Sequence, residues 1–295
     1  TWNINRGGAS VTTVNSGAQL QIASANTVNA GGTVDAFSDG TNHVSVQNNG
    51  TFNVNTTGGI GVGNLSGTGN TTVNTGLEAD HIRQNILVLG AGADATVRQN
   101  GTDSGVSVVN TLTVGAGATL DLTDNDLVVR SGTEAAVAAL ITSGANFSSG
   151  YWDGPGITSS AAANDASFLT GLGYADNANL GYTDFGGVSL TGNEILVKYT
   201  YYGDANLDGV VDGSDYALID FGFAFNLTGW LFGDFNYDGV VDASDYALID
   251  FAFAFQGAPL SGGLSGAIAA VPEPASLSLL GLGGLLLLRR NRHRD

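Results

Sequence analysis

Val44-Ser45-Val46-Gln47-Asn48-Asn49-Gly50 alternates apolar and polar residues, then breaks at Asn and Gly. The same texture recurs in Val11-Thr12-Thr13-Val14-Asn15-Ser16-Gly17 and in Leu112-Thr113-Val114-Gly115-Ala116-Gly117-Ala118-Thr119-Leu120-Asp121-Leu122. A period of two bounded by turn residues predicts short strands, each with one buried face. The phrase Val-x-x-Gly begins at Val14, Val28, Val73 and Val114. An imperfect repeat of small β units predicts a mainly β body over residues 1–130, a parallel β-solenoid (β-helix-like) in which each coil covers the apolar face of the next. A β-sandwich is the alternative that short strands also permit.

After residue 130 the texture changes. Thr133-Glu134-Ala135-Ala136-Val137-Ala138-Ala139-Leu140-Ile141 places helix formers behind a capping residue, with Gly144 as the stop. Ala161 to Leu172 reads as a second short helix, and Val188-Ser189-Leu190 with Ile195–Tyr202 as a closing hairpin. Residues 131–202 are therefore expected to cap the open end of the body.

The chain of 295 residues has 43% hydrophobic residues, 45 Gly and no Cys. Without Cys there is no thiol catalysis, disulfide, thiolate zinc site or iron–sulfur cluster. A net charge of −18 argues against nucleic acid as a partner. Asp121, Asp124 and Asp126 form the densest carboxylate cluster of the body and read as a polar turn. His43, His81, Arg83 and Arg98 read as solvated surface, and Trp152 as packing within the cap. No catalytic residue or organic cofactor emerges. A polysaccharide-acting hydrolase or lyase, or an accessory subunit of polysaccharide breakdown, is kept as the alternative to a structural protein, because parallel β-helices host such sites.

The acidity is local: ten Asp fall between Asp204 and Asp250, and no Lys or Arg occurs from Tyr199 to Leu288. Asp204-Ala-Asn206-Leu-Asp208-Gly209-Val210-Val-Asp212-Gly-Ser-Asp215 is repeated as Asp234-Phe-Asn236-Tyr-Asp238-Gly239-Val240-Val-Asp242-Ala-Ser-Asp245. A hard cation such as Ca²⁺ takes about six to eight oxygens, which a twelve-residue loop offers from positions 1, 3, 5, 7, 9 and 12 around a Gly at 6. The candidate ligands are Asp204, Asn206, Asp208, the Val210 carbonyl, Asp212 and Asp215, and in the second loop Asp234, Asn236, Asp238, the Val240 carbonyl, Asp242 and Asp245. Two Ca²⁺ ions are expected, with Ser214 and Ser244 capping the helices that follow and Val211 and Val241 entering a small core.

This duplicated loop and helix, with Asp at position 12, resembles a type I dockerin module over residues 203–257. The resemblance implies docking to a cohesin-type partner, in assemblies that commonly degrade polysaccharide. Family recognition positions 10 and 11 map to Gly213 with Ser214 and to Ala243 with Ser244. The body resembles the passenger-type β-repeats of autotransporter-associated and surface-exposed bacterial proteins.

Residues 258–271 read as a linker. Pro272-Glu273-Pro274, an apolar run from Ala275 to Leu288 and Arg289-Arg290-Asn291-Arg292-His293-Arg294 close the chain. A fourteen-residue helix spans about 21 Å, short of a bilayer core of roughly 30 Å, so the run reads as a marginal transmembrane helix. Residues 272–295 resemble a PEP-CTERM sorting signal, with Pro272, Glu273, Pro274, Arg289 and Arg290 as its marks. That resemblance implies export, transient inner-membrane retention, processing by an exosortase and delivery to the cell surface or extracellular matrix. The absence of Met at position 1 places the expected genetic start, and any signal peptide, upstream.

Overall fold

The computed structural model describes residues 45–55 and 59–260 with their side chains, and the backbone at 2–5, 19–22 and 27–31. Among them the chain runs through β1 (Trp2–Asn5), β2 (Gln19–Ile22), β3 (Thr27–Gly31), β4 (Ser45–Asn48), β5 (Thr51–Asn55), β6 (Ile60–Gly61), β7 (Asn64–Ser66), β8 (Asn70–Val73) and β9 (Gly76–Ala79). There follow β10 (His81–Leu89), β11 (Asp94–Val97), β12 (Ser107–Val114), β13 (Thr119–Asp121), β14 (Leu127–Val129), helix α1 (Glu134–Ala145), β15 (Gly156–Thr158), α2 (Ser160–Ala163) and β16 (Thr170–Asp176). The last elements are α3 (Asn177–Leu180), β17 (Asp184–Phe185), β18 (Val188–Ser189), β19 (Ile195–Tyr201), α4 (Gly213–Phe225) and α5 (Ala243–Phe255).

The main sheet has twelve strands, with the path β1-β3-β5-β8-β10-β12-β14-β19-β16. Its neighbours from β1 to β14 are parallel, so Val28, Phe52, Thr71, Leu87 and Leu112 stand in one column across the strands. A second, five-stranded sheet runs β15-β13-β11-β9-β6. Period-two alternation sets the faces: Phe52 and Val54 on β5, like Leu87 and Leu89 on β10, are sealed in the core while their neighbours are not.

The expected β-solenoid body is corrected by this topology. The architecture is one of mixed α/β sheets with five helices. The segment expected to cap the body instead supplies strands to the main sheet: β19 pairs antiparallel with β14, Leu127 opposite Val197, and β16 pairs antiparallel with β19. The closing hairpin is not formed, since Val188-Ser189 pairs with Asp184-Phe185. Ala161–Leu172 yields only α2 and then the start of β16. Among the described residues no helix is long and apolar enough to cross a membrane. The expected strand at 11–17, His43, the linker beyond Leu260 and the C-terminal helix lie outside the described residues.

Helix α1 has Thr133 as its N-cap, accepting from the Ala136 N–H, and runs past Gly144 to a left-handed C-cap at Asn146. Its Val137 and Ile141 face the core. Trp152 is buried as expected and donates from Nε1 to the Tyr202 hydroxyl at 3.0 Å. Two residues expected on the surface are not there. His81 is buried, with Nε2 2.7 Å from the Ser66 hydroxyl, and Arg98 pairs with Asp80 at 2.7 Å and Glu78 at 3.2 Å.

The acidic segment docks on the body through aromatic rings. Trp230, fully buried, lies 5.1 Å from Phe235 and 5.6 Å from Tyr237 between ring centroids. Tyr237 donates to the Leu172 carbonyl of β16 at 3.0 Å, and Tyr182 donates to the Asn206 carbonyl at 2.7 Å. A Cβ on Gly173 of β16 would stand 2.6 Å from Leu207, so only glycine admits this contact.

Candidate metal centre

Each acidic loop is wound by its own carboxylates. Asp204 accepts from the Asp208 N–H at 3.0 Å and the Gly209 N–H at 2.9 Å, and Asp208 accepts from Val210 at 3.0 Å. Asp215 reaches back from the helix to accept from Ala205 at 2.9 Å and Asn206 at 3.2 Å, and from Asp212 at 2.9 Å. The second loop repeats the pattern: Asp234 takes Gly239 at 3.1 Å, Asp238 takes Val240 at 2.9 Å, and Asp245 takes Phe235 at 2.8 Å and Asp242 at 3.0 Å. Gly209 and Gly239 turn the chain at φ +91° and +85°, a region where a Cβ costs energy.

Asp212 and Asp242, not the serines, are the helix N-caps, and Asp215 and Asp245 complete capping boxes. Ser214 and Ser244 instead donate their hydroxyls to those caps at 2.6 and 2.7 Å. Val211 and Val241 are buried, as expected from the apolar eighth position. Gln256 clasps the first loop, accepting from the Val211 N–H at 2.8 Å and donating to its carbonyl at 2.6 Å.

Four of the candidate ligands, Asp204, Asp215, Asp234 and Asp245, are buried. Burial pushes the Asp204 carboxyl up to about 8, reinforced by the charge of Asp215 and opposed by the Thr200 hydroxyl and by Lys198. Burial likewise lifts Asp215 to about 7 and Asp234 to about 6, the latter helped by Asp245, and raises Asp245 itself. The Oδ1 atom of Asp234 is buried without a hydrogen-bond partner. Val240 and Asp238 of the second loop are exposed, as are Asp212 and Asp242. The structure thus links Asp204, Asp208, Asp212 and Asp215, and likewise Asp234, Asp238, Asp242 and Asp245, through the backbone hydrogen bonds of one loop each. Among the described residues no group of three or more acidic or histidine side chains is placed so that it could hold a metal ion.

Sequence reasoning missed the buried pair of Asp126 and Lys198, 3.8 Å apart, and the Glu194 carboxylate. Glu194 accepts from Arg130 at 3.0 Å and from the Thr191 and Gly192 N–H groups at 2.8 and 2.9 Å. A lone Lys inside an apolar strand, Ile195-Leu-Val-Lys-Tyr, was the available signal. The cluster Asp121, Asp124 and Asp126 divides: Asp121 and Asp124 do cap turns, accepting from Thr123 and Asn100 at 2.9 Å each, whereas Asp126 is core.

Residues 270–292 match the PEP-CTERM protein-sorting motif. The match contains Pro272, Glu273, Pro274, Arg289 and Arg290, which lie outside the described residues. The chain thus carries a C-terminal signal of the kind borne by exported proteins sorted by exosortase. No curated protein and no solved structure matches the chain.

Proposed function

We propose that the chain is an exported structural or adhesive protein of the cell surface or extracellular matrix, carrying a Ca²⁺-dependent, dockerin-like interaction module. The reading rests on a duplication in three dimensions. Two loops share one hydrogen-bond pattern and bury their carboxylates in a segment without Lys or Arg. The donor set is all oxygen, which suits a hard cation. The unpartnered Oδ1 of Asp234 is a buried oxygen that a cation satisfies. In the first loop Asp204, Asn206, Asp208, the Val210 carbonyl, Asp212 and Asp215 hold one ion, and their counterparts from Asp234 to Asp245 hold the other. Each Ca²⁺ cancels two of the four carboxylate charges in its loop, so binding and stability are linked.

The helices that follow support the interaction role. Phe221, Phe223 and Phe225 on α4 and Phe251, Phe253 and Phe255 on α5 are 46–64% exposed, a concentration of large apolar rings that marks an interaction surface. The helices are tied by reciprocal bonds, Tyr216 to Asp250 at 2.5 Å and Tyr246 to Asp220 at 2.6 Å. A cohesin-type partner with an apolar groove and a basic rim fits this acidic, aromatic face.

The C-terminal signal holds the protein transiently in the inner membrane until an exosortase cuts near Pro272-Glu273-Pro274. Calorimetric titration of the full chain with Ca²⁺ should show two equivalents bound; absence of binding removes the calcium reading. Mass spectrometry of the native protein should find Arg289–Asp295 missing, and its presence on the mature protein would rule out processing.

A further inference from the structure

The described residues contain four bases, and two of them share one groove. Arg98 is neutralised by Glu78 and Asp80, and Lys198 is buried beside Asp126. Arg83 and Arg130 line a cleft of about 550 Å³ on the outer face of β10 and β12, bordered by Ser66–Thr68 and by Gly187-Val188, with Arg130 paired to Glu194. Both guanidinium groups are fixed in place. Arg83 donates from Nε to the Val106 carbonyl at 3.0 Å and from Nη2 to the Asp103 carbonyl at 3.3 Å. Arg130 donates to Glu194 at 3.0 Å and to the Ser189 carbonyl at 3.1 Å. Among the described residues no carboxylate pairs with Arg83, so its charge is uncompensated in the groove wall.

The floor between the arginines is a ladder of amides. Asn110 donates to Asn85 at 2.9 Å and Asn85 donates to Asn70 at 3.0 Å. Strand spacing places these side chains roughly 4.8 Å apart, which presents a polymer with a row of donors and acceptors. No aromatic ring lines the cleft, which removes the stacking surface that nucleobases need. No carboxylate lines it either, so it lacks the acid pair that glycoside hydrolysis requires.

We propose that this groove binds an acidic polysaccharide without cleaving it, a uronate carboxylate pairing with Arg83 and the hydroxyls with Arg130, Asn85 and Asn110. The Arg83 guanidinium, already held by two carbonyls, loses little freedom on bonding to a carboxylate. The site is separate from the acidic loops, so it stands whether or not those loops take calcium.

The test is affinity electrophoresis of the full chain in gels containing polygalacturonate, neutral galactan or dextran sulfate. Polygalacturonate should retard the protein and galactan should not. Arg83→Gln should weaken retention about tenfold, the loss of one charged contact. Asn110→Asp, an exposed change on the groove floor, should abolish it at an unchanged melting temperature. Equal retardation by dextran sulfate that survives both substitutions would show binding by bulk charge elsewhere and overturn the proposal. So would retention that is lost with Asp234→Asn but not with either groove variant, since that would place the polymer on the acidic loops.

Discussion

Nζ of Lys198 lies 3.8 Å from Oδ2 of Asp126, with both side chains sealed from solvent. Asp126 also accepts from the Tyr199 N–H at 3.0 Å, so one carboxylate fixes both a charge and the backbone of β19 beside β14. Burial raises the Asp126 carboxyl to about 7 against the pull of Lys198. Two charges without water depend on each other: Asp126→Asn removes the carboxylate paired with the buried ammonium and should cost about 3–5 kcal/mol in urea unfolding. The double change Asp126→Leu with Lys198→Met should cost far less than the sum of the single changes. Additive losses would show that the two residues act independently.

Glu194 behaves in the opposite sense. Burial raises its carboxyl, but the N–H and hydroxyl of Thr191 and the N–H of Gly192 outweigh it and hold the group down at about 2. A lowered folded pKa stabilises the native state above the unfolded value near 4.5, and that contribution disappears as pH falls from about 4.5 to about 2. Unfolding free energy measured between pH 6 and pH 2 should therefore show an acid limb. Glu194→Gln should flatten it and lower stability at pH 7 by about 2 kcal/mol. A limb of unchanged depth in the variant would assign it to other carboxylates.

The strands of β4 and β5 were legible because one face is buried and the other is not, so their residues alternate. β16 was not: Thr170 to Ala175 are all buried, and a strand covered on both faces carries no period to read. Its start was read as the end of a helix over Ala161–Leu172, because Gly171 against Tyr202 and Gly173 against Leu207 and Trp230 serve contacts that no local pattern encodes. The twelve-residue loops were legible since their spacing is local chemistry. Asp126 was hidden for the converse reason, its partner arriving from β19 through a pairing that no nearby residue announces.

Trp230, which lies between the two loops, is tied to the first of them by a single polar atom. Its Nε1 donates to the Asp204 carbonyl at 2.7 Å, and both residues are fully buried. Trp230→Phe keeps most of the ring packing but leaves that carbonyl unsatisfied, which should cost about 1–3 kcal/mol. Thermal unfolding of the variant beside Tyr237→Phe, which removes only the bond to Leu172, would measure the two links separately. No loss in either would mean that ring packing alone carries the contact.

Gly209 and Gly239 occupy the same loop position and the same backbone region, so a comparison between them isolates what lies outside the loop. Replacing either with Ala places a Cβ at positive φ, a strain of about 1–2 kcal/mol. At Gly239 nothing else stands within 4 Å, whereas at Gly209 the new Cβ would come 2.3 Å from the Leu260 carbonyl. Leu260 in turn donates to the Gly209 carbonyl at 3.0 Å, so the chain after α5, also bonded to the Tyr201 hydroxyl at Gly257 and Ala258, is pinned on the first loop. Gly209→Ala should therefore be the more destabilising change, and it should speed amide exchange at Leu260 while Gly239→Ala leaves that exchange unaltered. Equal losses in both variants, with Leu260 equally protected, would show that backbone strain is the whole effect and that the clasp on the first loop adds nothing.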